Sequence, residues 1–257
     1  MIERAPRAAA TGLLLLVVLF GGALRCWNLD WDGGAHLHPD ERYLAIVSSK
    51  VSAPSSATQW FDTDRSPLNP ANHGERYVYG TAPLFAGKGV ATWLEHGART
   101  GDQPARAVTV ALDHLGVDLL ADDGTPRFDG GYQMVPVGRL LSALLDTTTI
   151  VAVYLLGAAL GTRRGPAGER LGRGRRVGLV AALAWAVTPL AIQQAHFFVV
   201  EPMLTAATAW ALLAAVRLAR GPSVGRTVLL AGGLAAGVAG ASKISGLSVL
   251  AAVGAGA

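Results

Sequence analysis

The 257-residue chain is 51% hydrophobic and 16% charged, with a mean hydropathy of +0.36; that is too apolar for an ordinary soluble domain and points to repeated membrane passes. A formal charge of +4 and a pI near 9.6 would suit a nucleic-acid binder, but the distribution excludes one. Residues 28–137 hold 14 acids against 8 bases, and the excess of Arg and Lys falls mostly in short loops between apolar runs, which is membrane topology. The single cysteine, Cys26, rules out an internal disulfide and a cysteine-built zinc site.

Arg4 and Arg7 precede an uncharged run over residues 8–24. A cleaved signal peptide starts this way, and Cys26 suggests a lipoprotein, but Arg25 directly before Cys26 fits that cleavage badly. Trp27 and Trp31 read as interfacial anchors that end a retained helix. The expected organisation is residues 1–27 as a cytoplasmic N-terminus and first transmembrane helix, and 28–137 as a long extracytoplasmic loop. Residues 138–257 then hold transmembrane helices two to five and part of a sixth.

The loop opens with His36-Leu37-His38-Pro39-Asp40-Glu41-Arg42-Tyr43. Pro39 suits the first helical position, where a missing N–H costs nothing. Asp40 and Glu41 then lie in the first turn, where the helix dipole favours carboxylates. Two amphipathic helices are predicted, over 40–51 and 83–96, of the kind that lies at the headgroup level. Residues 54–72 read as irregular and 97–131 as a polar stretch, with Asp122-Asp123-Gly124 as a turn.

Residues 135–160 predict the second span. The loop 161–176 follows, with Arg163, Arg164, Arg170, Arg173, Arg175 and Arg176 against Glu169, a strong positive-inside signal. Spans three to five are predicted over 177–195, 199–216 and 227–241. The last apolar run stops at Ala257 with no polar tail, which reads as a truncated chain.

Counting sides along this topology places Asp40, Glu41, Arg139, His196, Glu201 and Lys243 toward the outer face. Lys243 lies 17 residues beyond Arg226, roughly 25 Å along a helix. Ionisable groups at such depths face a cavity or one another. Each has a plainer reading: Arg139 as a snorkelling arginine, Glu201 as an N-terminal helix acid, His36 and His38 as loop histidines. Asp146, inside the second span, has no evident partner. Together the residues suggest acceptor activation by a carboxylate, with cations holding a leaving phosphate. Asp40 and Glu41, adjacent on a helix, face different ways and should not share one task.

These residues resemble a family pattern. His38-Pro39-Asp40-Glu41, Tyr79-Gly80-Thr81-Ala82-Pro83-Leu84, Val137-Gly138-Arg139-Leu140-Leu141, Thr188-Pro189-Leu190 leading to His196 and Glu201-Pro202, and Ser242-Lys243-Ile244-Ser245-Gly246 resemble, in order and spacing, the polyprenyl-phosphate-sugar-dependent glycosyltransferases of the GT-C fold. These are the protein O-mannosyltransferases of glycosyltransferase family 39 and their bacterial relatives.

The resemblance implies an all-α polytopic membrane protein, a GT-C-like bundle with interfacial helices in its first outer loop. It implies a bacterial plasma-membrane enzyme that transfers a sugar with inversion from a polyprenyl-phosphate donor to an extracytoplasmic protein, glycan or lipid acceptor, with no nucleic acid involved. Asp40 would be the general base beside Glu41, and Arg139, Glu201, Lys243, His196 and Tyr79 would bind substrate. Some members use a divalent cation and others do not; His38, Glu41 and Glu201 are the candidate ligands. The family's later helices are missing, and 97–131 looks like an insertion. The competing reading is a polytopic transporter or lipid flippase with Lys243 and Glu201 in its path, although the chain shows no internal repeat of the kind such proteins carry.

Overall fold

The computed structural model describes residues 7–114, 131–164, 170–220 and 225–256. Eleven helices appear among them: α1 (Arg7–Cys26), α2 (Pro39–Lys50), α3 (Ala57–Phe61), α4 (Ala82–Thr100), α5 (Gln103–His114), α6 (Val135–Leu160), α7 (Gly174–Ala186), α8 (Pro189–Ala195), α9 (Glu201–Leu218), α10 (Arg226–Ser242) and α11 (Ser248–Gly256). Short 3₁₀ turns occupy Pro70–His73, Gly131–Met134 and Ile244–Leu247. A small antiparallel pair, β1 (Thr162–Arg164) and β2 (Arg170–Gly172), joins α6 to α7, with Arg163 opposite Leu171.

Among the described residues two helical stretches, Ala8–Cys26 and Tyr132–Leu160, are long and apolar enough to cross a membrane. The third predicted span is not one rod. It is α7 and α8, bent by 58°, because Pro189 has no N–H for the helical ladder and Thr188 before it is extended. Helices α10 and α11 are shorter apolar helices.

The polar residues 97–114 are helical on both sides of one turn. α4 runs on to Thr100, Gly101 ends it at φ +76°, and α5 follows. Likewise α3 and the Pro70–His73 turn interrupt the segment read as irregular. The Asp122-Asp123-Gly124 turn lies outside the described residues.

The chain divides into two compact bodies. The first comprises α1, α6 from Ser142 onward, the β pair and α7 to α11. Small residues let its helices approach closely. Ile150, Ala182 and Ala186 form one core with Leu14, Val17 and Trp185 around it, and a side chain on Gly21 would collide with Ile150. Ala211, Ala215, Ala236, Val249 and Val253 form another core, among α9, α10 and α11. Asp146, the unpartnered acid of the sequence, meets Arg25 at 2.5 Å, with both side chains buried. Arg25 also donates to the carbonyls of Gly21, Ala186 and Trp185 at 2.9–3.1 Å. Two of these belong to the end of α7, where carbonyls lack helical partners.

The second body is the described part of Asn28–Leu141 together with Phe197–Val199. Here α2 packs on α4 and on the Gly131–Met134 turn, and α4 packs on α5. Leu44, Val47, Leu84, Leu94, Met134 and Phe198 are fully buried. The Phe198 ring sits where side chains on Gly87 and Gly138 would be, so both positions require glycine.

Candidate active site

The catalytic candidates begin at the N-terminus of α2. His38 is extended, Pro39 takes the first turn, and Asp40 and Glu41 follow. The helix turns them apart. Glu41 is fully buried, whereas Asp40 is half-buried. Among the described residues the Asp40 carboxylate makes no hydrogen bond and no ion pair.

Glu41 is held from three directions. Arg139 donates from Nε to Oε1 at 2.8 Å and from Nη2 to Oε2 at 2.6 Å, and the backbone N–H of Phe198 donates to Oε1 at 2.7 Å. Arg139 in turn gives Nη1 to Leu29 O at 2.7 Å and to Asp32 Oδ1 at 3.0 Å, and Nη2 to Asp32 Oδ2 at 2.9 Å. A guanidinium has five N–H donors, and these contacts use all five. The expectation that Arg139 contacts substrate meets that geometry: no N–H remains for a phosphate. Arg139 instead fixes Glu41 and Asp32, with the Trp31 ring 5.8 Å from its guanidinium.

Burial pushes the Asp32 carboxyl up. Hydrogen bonds from Arg139 and from the Leu37 N–H, with the charges of Arg139 and His36, outweigh it and hold the pKa at about 2. The loop carrying Asp32 turns through Gly33 and Gly34 at φ +58° and +75°, and His36 adopts φ +48°. His36 stacks on Tyr132 at 4.5 Å and His38 tilts against Phe197 at 4.4 Å.

For a metal, the sequence candidates were His38, Glu41 and Glu201. Among the described residues the grouping is different: Asp32, His36 and Glu41 offer ligand atoms within 4.8 Å of one another. They do not fit a divalent cation. Every oxygen of Asp32 and Glu41 already accepts from Arg139, so an ion would have to share them with a guanidinium 2.6–3.0 Å away.

The remaining candidates are distributed as follows. Tyr79 belongs to the second body, edge-on to Tyr77 at 6.0 Å. In the first body Lys243 Nζ donates to Glu201 Oε1 at 3.1 Å, and both side chains keep over a third of their surface exposed. His196 sets its ring nitrogens against Ile192 O at 2.7 Å and Trp27 O at 2.9 Å, tying the end of α8 to the end of α1.

The sequence reading missed Asp32, the Phe198 N–H and the Arg25–Asp146 pair. For the last, a signal existed: an acid inside an apolar span needs a buried cation, and Arg25 is the base that interrupts the end of the first apolar run.

The helices, two of them long and apolar enough to span a membrane among the described residues, belong to a polytopic membrane protein with a GT-C-like fold. The chain is similar in structure to the S. cerevisiae protein O-mannosyltransferase Pmt1–Pmt2 complex bound to the sugar donor, with a TM-score of 0.59 at 18% identity, over 98% of this chain and 27% of that chain. This chain therefore spans about a quarter of the length of the one it resembles. No protein-family model and no curated protein matches it.

Proposed function

We propose that the protein is a membrane glycosyltransferase that moves a sugar from a polyprenyl-phosphate donor to an extracytoplasmic acceptor with inversion, Asp40 acting as general base. The observation that carries this reading is the contrast between two adjacent carboxylates. Glu41 accepts three hydrogen bonds, from Arg139 and Phe198, on both of its oxygens; Asp40, one residue earlier, is half-buried and without a partner among the described residues. A base needs an accessible lone pair within reach of the proton that it takes. Glu41 positions the first turn of α2, and Asp40 does the chemistry. The likeness to a donor-bound mannosyltransferase supports the same reading.

In the reaction the acceptor hydroxyl oxygen bonds to the anomeric carbon as its proton passes to Asp40. The bond from that carbon to the phosphate oxygen breaks, and polyprenyl phosphate leaves. The leaving phosphate carries developing negative charge, which a cation stabilises. We place the N-terminus in the cytoplasm and residues 28–137 outside, from the arginine-rich 161–176 segment, in a bacterial plasma membrane.

The test is Asp40→Asn in the protein reconstituted in lipid, assayed with a labelled polyprenyl-phosphate hexose. Transfer falls by at least a hundredfold with an unchanged melting temperature. Wild-type turnover in that variant would refute the assignment.

A further inference from the structure

The helix α2 presents a second flank that the reading above does not use. Glu41, Leu44, Ala45, Val47 and Ser48 form its buried face. Asp40 and Tyr43, three residues apart, are neighbours on the adjoining side, and Lys50 follows two turns later on the same side.

The extended segment 75–79 runs along this flank. Glu75, Tyr77 and Tyr79 are half-buried, while Arg76 and Val78 between them are exposed, the two-residue period of an extended chain. Glu75 accepts from Lys50 at the far end of α2. Tyr77 meets the Tyr43 ring at a centroid distance of 5.9 Å, and Tyr79 meets Tyr77 at 6.0 Å. The segment thus travels from Lys50 to Tyr43, toward the start of the helix. Its next inward residue, Tyr79, follows Tyr77 edge-on; Asp40 joins the strip through Tyr43, its neighbour one turn along α2.

Tyr77 donates its hydroxyl to Gly80 O at 3.1 Å, which fixes the end of the segment before α4. Burial raises the pKa of the Tyr77 phenol, and its neighbours Tyr43 and Tyr79 add to this; burial and then Glu75 raise that of Tyr43. Both phenols stay protonated.

Resting on the Asp40 reading, we propose that Tyr43, Tyr77 and Tyr79 form the acceptor-side subsite, and that the acceptor is a saccharide whose ring stacks on this strip with a hydroxyl presented to Asp40. The strip offers aromatic rings and, at Tyr43, a hydroxyl beside Asp40, and a pyranose has an apolar C–H face to set against such rings. Ligand sites combine aromatic walls with a few oriented polar groups in this way. The strip's ion pair, Lys50–Glu75, compensates itself, so the surface suits a neutral ring.

The test separates binding from turnover. In the reconstituted protein, saturation-transfer NMR with a neutral mannose oligosaccharide shows transfer from tyrosine ring protons to the sugar, in wild type and in Asp40→Asn alike. In the transfer assay Tyr43→Leu and Tyr79→Leu raise the KM for that oligosaccharide about tenfold with little change in kcat or in the KM for the donor, and Tyr43→Phe and Tyr79→Phe restore most of it. Should a Leu variant fail to fold, the Phe variants and the NMR decide.

Transfer only to a Ser/Thr peptide, an oligosaccharide KM indifferent to ring removal, or no saturation transfer in wild type would each overturn the subsite. Full activity of Asp40→Asn alongside the NMR signal would sink the base assignment and leave the saccharide site standing.

Discussion

Phe198 donates its backbone N–H to Oε1 of Glu41 at 2.7 Å, so the connection between α8 and α9 supplies the third donor to the carboxylate that grips Arg139. All three groups facing Glu41 are donors. Glu41→Gln offers them one oxygen and an NH₂, and leaves the buried guanidinium short of a counter-charge. Breaking a buried pair costs about 3 kcal/mol or more. The expected result is a melting temperature lower by about 6 to 12 °C and loss of transfer. Arg139→Lys should behave similarly, since a compact ammonium cannot reproduce the five-donor fork; thermal unfolding of the two variants checks this.

Gly138 and Phe198 make a second coupled pair. A Cβ on residue 138 would overlap the Phe198 ring, so Gly138→Ala should destabilise by about 1 to 3 kcal/mol. Phe198→Ala empties the cleft at a cost of about 3 to 5 kcal/mol. The double variant should cost less than the two together by about 1 kcal/mol or more, because the methyl enters the space left by the ring. Additive costs in a denaturation cycle would contradict the packing.

Asp32 carries an acid-side signature. Its folded pKa of about 2 lies below the ordinary aspartate value of about 3.9. Its contribution to stability, about 2 kcal/mol, is therefore complete above about pH 4 and is lost as the pH falls toward 2. A melting-temperature profile from pH 6 to pH 3 should fall less steeply below pH 4 in Asp32→Asn than in wild type.

The Arg25–Asp146 pair predicts a rescue. Arg25→Met leaves a buried carboxylate uncompensated and should cost about 3 to 5 kcal/mol. Arg25→Met with Asp146→Leu removes both charges, and most of that loss should return. What does not return reports the bonds from Arg25 to the carbonyls of Gly21, Ala186 and Trp185. Melting temperatures of the three forms test it.

Much of this architecture can be read along the chain because one-dimensional signals suffice for it. Apolar length marks α1 and α6, and Pro39 before two acids marks the start of α2. Pro189 was visible too, yet its run looked like one span because apolarity continues across the break. The contacts of the site were harder to see. Arg139 is conspicuous at a membrane border, but nothing near it in sequence names Asp32, 107 positions away, as a partner. Which flank of α2 each acid occupies depends on what packs there. The Phe198 N–H is a backbone group, which no residue-type pattern can single out. Val199 reads as the start of the fourth span because the run there is apolar; the burial of Phe198, one residue earlier, against Gly87 and Gly138 gives that apolarity another cause.

That burial bears on the order of events during synthesis. Arg139 and both acids leave the ribosome well before residue 198, so until Phe198 arrives Glu41 lacks one of its donors and the cleft between the two glycines stands open. The body that holds Asp40 can adopt its final form only after α7 and α8 have been made, which makes the timing of membrane insertion part of how this site is assembled.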